Sequence, residues 1–174
     1  MRTIRLMILL AITIFFANPV NAQKLSKEER AKKDMQAFNK TKELINGNVF
    51  KIEIDRVFPI SGVDVSRFNP RGYVHVKDSI AEGKLPFFGR AYNIPYGDGG
   101  GIEFNSSIQE LEQKVINKRK KKLILYNFTV KGKDDTYQLS IQITGGNNCN
   151  ISLVSNHRAQ ISYSGTISPI EKEK

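Results

Sequence analysis

From Asn48 to near the end of the chain, apolar residues recur at every second position, and clusters of turn formers break the pattern at intervals of about 8–12 residues. Phe50, Ile52 and Ile54 alternate with Lys51, Glu53 and Asp55, and Tyr73 to Ile80 places Val74 and Val76 on one face. Leu123 to Val130 and Thr136 to Thr144 flank the turn Lys131-Gly132-Lys133-Asp134-Asp135. Gly145-Gly146-Asn147-Asn148 leads into Cys149 to Val154, and Asn156-His157-Arg158 leads into Gln160 to Ile167. A period of two gives each strand one buried and one solvated face, and turns this short join only antiparallel neighbours. No stretch between the strands has the length and period of a crossover helix. The pattern therefore predicts a mainly β fold, an antiparallel barrel or closed sandwich of about eight to ten strands.

The middle of the chain is less regular. A break at Pro59 to Gly62 precedes a short Val63–Val65 piece, and Asn69-Pro70-Arg71-Gly72 is a turn. Ile102 to Phe104 is a strand by pattern. Ile108 to Ile116 fits a helix by propensity, but the regular pairing of its neighbours favours a strand ending at the Asn117 turn.

Ahead of the β region, residues 24–46 read as one helix. Ser26 and Glu29 form a capping box, each side chain satisfying an orphan amide of the first turn. Ala31, Met35, Phe38 and Ile45 share a stripe opposite the charges, and Gly47 is the expected left-handed stop. Residues 1–22 have a different character. Arg2 and Arg5 precede an apolar run from Leu6 to Phe16, and Asn18-Pro19 leads to Val20-Asn21-Ala22, a small-residue cleavage site. That is the composition of a secretory signal peptide, with an apolar run too short for a membrane span. The expected organisation is a signal peptide at 1–22, an amphipathic helix at 23–47, a β domain at 48–170 and a tail at 171–174. An exported protein without a transmembrane anchor after cleavage follows from it, in the periplasm or outside the cell.

Cys149 is the only cysteine, so no intramolecular disulfide is available. With no basic neighbour it is expected to be structural. The net charge of +10 favours anionic partners or simply solubility. Lys118-Arg119-Lys120-Lys121-Lys122 concentrates five of the cations in one turn. Such a run suits an anionic surface, such as lipid or lipopolysaccharide, or a solvated hairpin whose charges discourage edge pairing. No aromatic residues interleave with it, which argues against nucleic acid.

Residues 85–104 combine Phe87, Phe88, Tyr92 and Tyr96 with Arg90, followed by Gly97 and Gly99-Gly100-Gly101. The glycines do not precede the Lys-Ser/Thr of a phosphate loop, and a strand follows them. They fit positive φ or close backbone approach as the chain re-enters the sheet. His75 and His157 are the only histidines and make no metal set with one cysteine. No nucleophile elbow, calcium loop or other catalytic constellation appears, so no cofactor, metal or catalytic residue is expected. Asn39, Asn105, Asn127 and Asn150 begin glycosylation sequons, which matter only where a secretory pathway uses them.

Leu85-Pro86-Phe87-Phe88-Gly89-Arg90-Ala91-Tyr92, then Pro95-Tyr96-Gly97 and Gly100-Gly101-Ile102-Glu103-Phe104, form an ordered series with Lys133-Asp134-Asp135-Thr136-Tyr137, Asn156-His157-Arg158 and Ile161-Ser162-Tyr163-Ser164-Gly165. In these segments the chain, over about residues 40–170, resembles the bacterial secreted family of domain of unknown function 4251. The resemblance implies export in a Gram-negative bacterium and a lipocalin-like barrel, and it implies no activity and no catalytic residues. Asn147 and Asn148 depart from the family pattern by lengthening the hairpin after Gly145-Gly146.

The leading expectation is a non-enzymatic barrel module binding a small ligand or envelope component. Phe87, Phe88, Tyr92 and Tyr96 would form an apolar mouth with Arg90 as anchor for an anionic or carboxylate-bearing group. Arg90 admits a second role, tying the loop to the barrel. The alternative is a structural or interaction protein of the cell envelope that meets anionic surfaces through Lys118 to Lys122. A hydrolase is the least favoured.

Overall fold

The computed structural model describes residues 26–65, 71–92, 100–118 and 121–170. The expected signal peptide and C-terminal tail lie outside the described residues. The chain divides into two compact units, residues 1–31 and 32–174. In the first, the capping box is formed in both directions. The Ser26 amide donates to Glu29 Oε2 at 2.9 Å and the Glu29 amide to Ser26 Oγ at 3.2 Å.

Among the described residues, the second unit holds the rest of the helix α1 (Lys27–Asn46) and nine strands. These are β1 (Val49–Pro59), β2 (Gly72–Lys77), β3 (Ile80–Leu85), β4 (Ile102–Ser107), β5 (Gln109–Lys118), β6 (Lys121–Lys131), β7 (Thr136–Thr144), β8 (Asn148–Ser155) and β9 (Ile161–Ser168). They form one antiparallel sheet in the order β4-β3-β2-β1-β9-β8-β7-β6-β5, strongly curled into a half-barrel. The fold is mainly β, with a helix leading into the sheet. No helix among the described residues is long and apolar enough to cross a membrane.

Alternation decides which side chains face inward. Phe50, Ile52, Val74, Val76, Tyr126, Leu139, Ile141, Ile151 and Tyr163 belong to one buried cluster, joined by Phe38 and Ile45 of α1. Burial of aliphatic and aromatic surface on this scale, at roughly 25 cal/mol per Å², is the main term holding the sheet curled. Register in β1 slips between Ile54 and Arg56, so the inward side changes from Ile54 to Val57. A bulge does this by inserting one unpaired residue.

The sheet's two edges are consecutive in sequence, since only Ile108 separates β4 from β5. The β4 edge closes onto the end of β6 at Phe104, which pairs with Gly83 on β3 and makes an isolated bridge to Gly132 after β6. A Cβ on Gly83 would run into the Phe104 ring, and one on Gly132 would meet Tyr137 and the Glu103 carbonyl. Glycine fits both positions because the space of a side chain is taken, at Gly83 by the Phe104 ring and at Gly132 by the Tyr137 ring and the Glu103 backbone.

Four local expectations are corrected. Asn48, not Gly47, takes the left-handed conformation after α1 (φ 49°). Asparagine tolerates that region, and here its Oδ1 also accepts from Tyr126 Oη at 3.0 Å. The single strand expected over Tyr73 to Ile80 is two strands, because Asp78 turns the chain at φ 55° and pairs Lys77 with Ile80. Val63 to Val65 joins no ladder, although the Val65 amide reaches the Val57 carbonyl at 3.1 Å. Of the expected helix stripe, Phe38 and Ile45 are buried, with Thr41 beside them, while Ala31 and Met35 are exposed. Thr41 earns its place by donating to the Gly146 carbonyl at 2.9 Å.

Candidate functional site

Arg158, in the β8–β9 connection, is 4 % exposed. A guanidinium this deep is costly unless its charge and donors are met. Its Nη2 donates to Asp134 Oδ2 at 2.6 Å and its Nη1 to the Gly100 carbonyl at 3.0 Å. Its Cζ stands 5.1 Å from the centroid of the Phe87 ring, a cation–π contact. Gly100 reaches this position with φ 71°, the positive value expected of the glycine run.

The β6–β7 turn supplies the acids. Asp134 also accepts from Tyr137 Oη at 2.6 Å. Burial pushes the Asp134 carboxyl up, but the hydrogen bonds from Tyr137 and Arg158 and the guanidinium charge outweigh it, leaving it below its ordinary range. Asp135 points toward the β8–β9 connection and accepts from the amides of His157 and Thr136, each at 2.8 Å. Its burial is likewise outweighed, first by the His157 amide, so this carboxyl is also held low. Burial, then the Asp134 carboxylate, holds the Tyr137 phenol protonated well above its ordinary range.

The segment 86–92 is fixed to the same turns, mainly by backbone. Tyr163 Oη donates to the Pro86 carbonyl at 2.9 Å. The Ala159 amide donates to the Arg90 carbonyl at 2.9 Å, the Tyr92 amide to the His157 carbonyl at 2.8 Å, and Ala91 bridges Arg158. Beside this network opens a groove of about 430 Å³ with Arg71, Lys84, Lys133 and Arg158 in its wall, against Asp134 and Glu103. Lys84 and Glu103 pair at 2.8 Å with both side chains mostly exposed.

The residues expected at a pocket mouth are placed differently. Phe87 is half-buried against Arg158, and Phe88 is half-buried against the core. The Arg90 and Tyr92 side chains are exposed, and Tyr96 lies outside the described residues. None of the four described residues, Phe87, Phe88, Arg90 and Tyr92, lines the groove. In the basic run, Lys118 and Lys121 sit opposite each other where β5 turns into β6. Lys118 is exposed and Lys122 half-buried, while Arg119 and Lys120 lie outside the described residues.

The buried charge is Arg158, which sequence reasoning did not single out as a site residue, nor Asp134, Lys84, Lys133 and Arg71. A signal for three of them existed, because Lys133, Asp134 and Arg158 stand in the same motif series as Phe87. Among the described residues no cluster of three or more His, Cys, Asp or Glu side chains is placed to hold a metal ion. Cys149 is buried, with Sγ 3.4 Å from the Gly165 carbonyl, and burial pushes its thiol up to about 12.

A family model described as "Domain of unknown function (DUF4251)" matches residues 32–167. Among solved structures, the chain is similar to a DUF4251 family protein from Bacteroides eggerthii DSM 20697, with TM-score 0.55 and 20 % identity, over 77 % of this chain and 88 % of that one. At that identity the likeness speaks for the fold alone. No curated protein matches the chain.

Proposed function

The chain belongs to the DUF4251 family, and on that premise we propose that it is an exported, non-enzymatic binding module that takes a small anionic ligand or envelope component in the groove beside Arg158. The observation that carries this reading is the composition of the groove wall, in which Arg71, Lys84, Lys133 and Arg158 outnumber Asp134 and Glu103. An open concavity with a rigid floor and several convergent charged groups is the usual form of a site for a small charged molecule. The floor is rigid because Arg158 and Asp134 are committed to each other, and at the rim the exposed Lys84 is paired with Glu103, beside the exposed Lys133. The leader-like composition of residues 1–22 supports export. The packed interior of the sheet favours a surface groove over a lipocalin-type internal cavity.

Calorimetric titration with mono- and dicarboxylates tests the proposal. Binding that is lost in the Lys84→Ala/Lys133→Ala double variant, with an unchanged melting temperature, is expected. Absence of binding at millimolar carboxylate, or binding indifferent to both lysines, would overturn it.

One observation favours a second reading. Lys118 pairs with Lys121 at the end of the β5–β6 ladder, which gathers the basic run at one hairpin end. An anionic surface would meet that end electrostatically. Co-sedimentation with anionic vesicles at two salt concentrations tests it, and absent or salt-insensitive binding would sink it.

A further inference from the structure

The outer face of β1 to β4 is a lattice of facing side chains. Lys51 stands opposite His75 and Glu53 opposite Tyr73. Tyr73 in turn faces Lys84, and His75 faces Glu82. Glu82 and Lys84 face Asn105 and Glu103 on β4. Within this lattice the Tyr73 and His75 rings stack at 4.5 Å, tilted by 32°. Tyr73 Oη donates to Glu82 Oε1 at 2.8 Å, which fixes the ring.

Two concavities adjoin this ring pair. One, of about 630 Å³, has Lys51, Glu53, Tyr73 and His75 in its wall, and the other, of about 600 Å³, has Tyr73, Glu82, Glu103 and Asn105. Lys84 lines both of them and the groove beside Arg158 as well. The three are therefore contiguous, cationic at the Arg158 end and aromatic with mixed carboxylate, amide and ammonium groups along the sheet.

We propose that this continuous groove binds an acidic oligosaccharide, with an acidic sugar beside Arg71, Lys84 and Lys133 and an adjoining neutral sugar on the Tyr73–His75 platform. The inference rests on the anion-binding reading of the groove and names its ligand class. A pyranose ring presents a C–H face suited to an aromatic ring and a rim of hydroxyls that both donate and accept. Tyr73 and His75 supply the apolar face, fixed in place and therefore cheap to bind against. Glu53, Glu82 and Asn105 accept from hydroxyls, while Lys51 and Asn105 donate to them. The same carboxylates repel a second acid on the platform, so the charge belongs at the Lys133 end.

Calorimetry with glucuronate, with a disaccharide of glucuronic acid linked to a neutral hexose, and with a neutral disaccharide tests the inference. The acidic disaccharide should bind at least about tenfold tighter than glucuronate, equivalent to roughly 1.4 kcal/mol, and the neutral one should not bind measurably. His75→Ala should erase the gain and leave glucuronate binding intact, and the near-isosteric Glu82→Gln, which removes a charged acceptor without changing shape, should reduce it. If glucuronate itself does not bind, the proposed function fails. If glucuronate binds but the disaccharide gains nothing, or its gain survives both variants, the oligosaccharide inference fails and the anion site stands.

Discussion

The ring of Phe104 lies over Gly83, its partner across β3 and β4, and the same residue bridges Gly132 just after β6, the strand next to the far edge of the sheet. The curl of the half-barrel is thus held where the Phe104 ring fills the side-chain space of Gly83 and the Tyr137 ring that of Gly132. Gly83→Ala should cost about 1–3 kcal/mol, since the ring must move to admit a methyl group. Phe104→Ala should cost about 3–5 kcal/mol. The double variant should lose less than the sum, because the single substitutions share one contact. Urea unfolding midpoints measure all three, and strict additivity would contradict the shared contact.

Breaking the Arg158–Asp134 pair should be among the most damaging single changes. Asp134→Ala leaves a guanidinium that is nearly fully buried without its counter-charge. A loss of about 3 kcal/mol is expected, at the low end for buried pairs because the Asp134 side chain keeps 17 % of its exposure. Arg158→Met/Asp134→Leu should be milder than either single alanine, since it removes both charges together. Thermal denaturation of the set distinguishes a buried pair from a surface one, for which all the losses would be small.

The acid side of the stability profile follows from the same turn. Both Asp134 and Asp135 are held below the ordinary carboxylate range in the folded protein. The unfolded chain therefore binds more protons in that window, and stability rises with pH there. Their contribution is complete above about pH 4, the unfolded value, and is lost as pH falls through the folded values. The urea midpoint should fall below about pH 4 in the native protein and fall less steeply in Asp135→Asn. Equal slopes would remove Asp135 from the account.

Cys149 should behave as an inert core residue. With its thiol pushed up to about 12 and its sulfur buried, it should resist a thiol reagent at pH 8 until the protein unfolds. The labelling rate should therefore track denaturant concentration through the unfolding transition. Rapid labelling without denaturant would show local opening of the β8–β9 pair.

Much of the fold was legible in the chain because alternation is local. Phe50, Ile52, Val74, Val76, Ile141 and Ile151 declare their faces through their immediate neighbours, and Ser26 with Glu29 declares the helix start. The ambiguous Ile108 to Ile116 segment is a strand because β6 offers a ladder that no intrinsic propensity announces. The missed strand Ile80–Leu85 contains Glu82, Gly83 and Lys84, poor strand formers by propensity, and it pairs because Phe104 needs Gly83. The candidate site was the least legible part. Arg90 and Arg158 both follow turn-forming residues, and nothing local distinguishes the exposed one from the buried one.

The sequence by itself determined the β class, the helix cap and the residues that face the core, since each depends on spacing within a few positions. Only the tertiary structure decided that Asp134 meets Arg158, 24 residues away, and that Lys84 sits where three concavities join. Those relationships depend on the register of strands paired across the curled sheet and on where its β4 edge closes onto the end of β6. Register is set by the summed fit of the buried face, a property of all nine strands together and of no single segment.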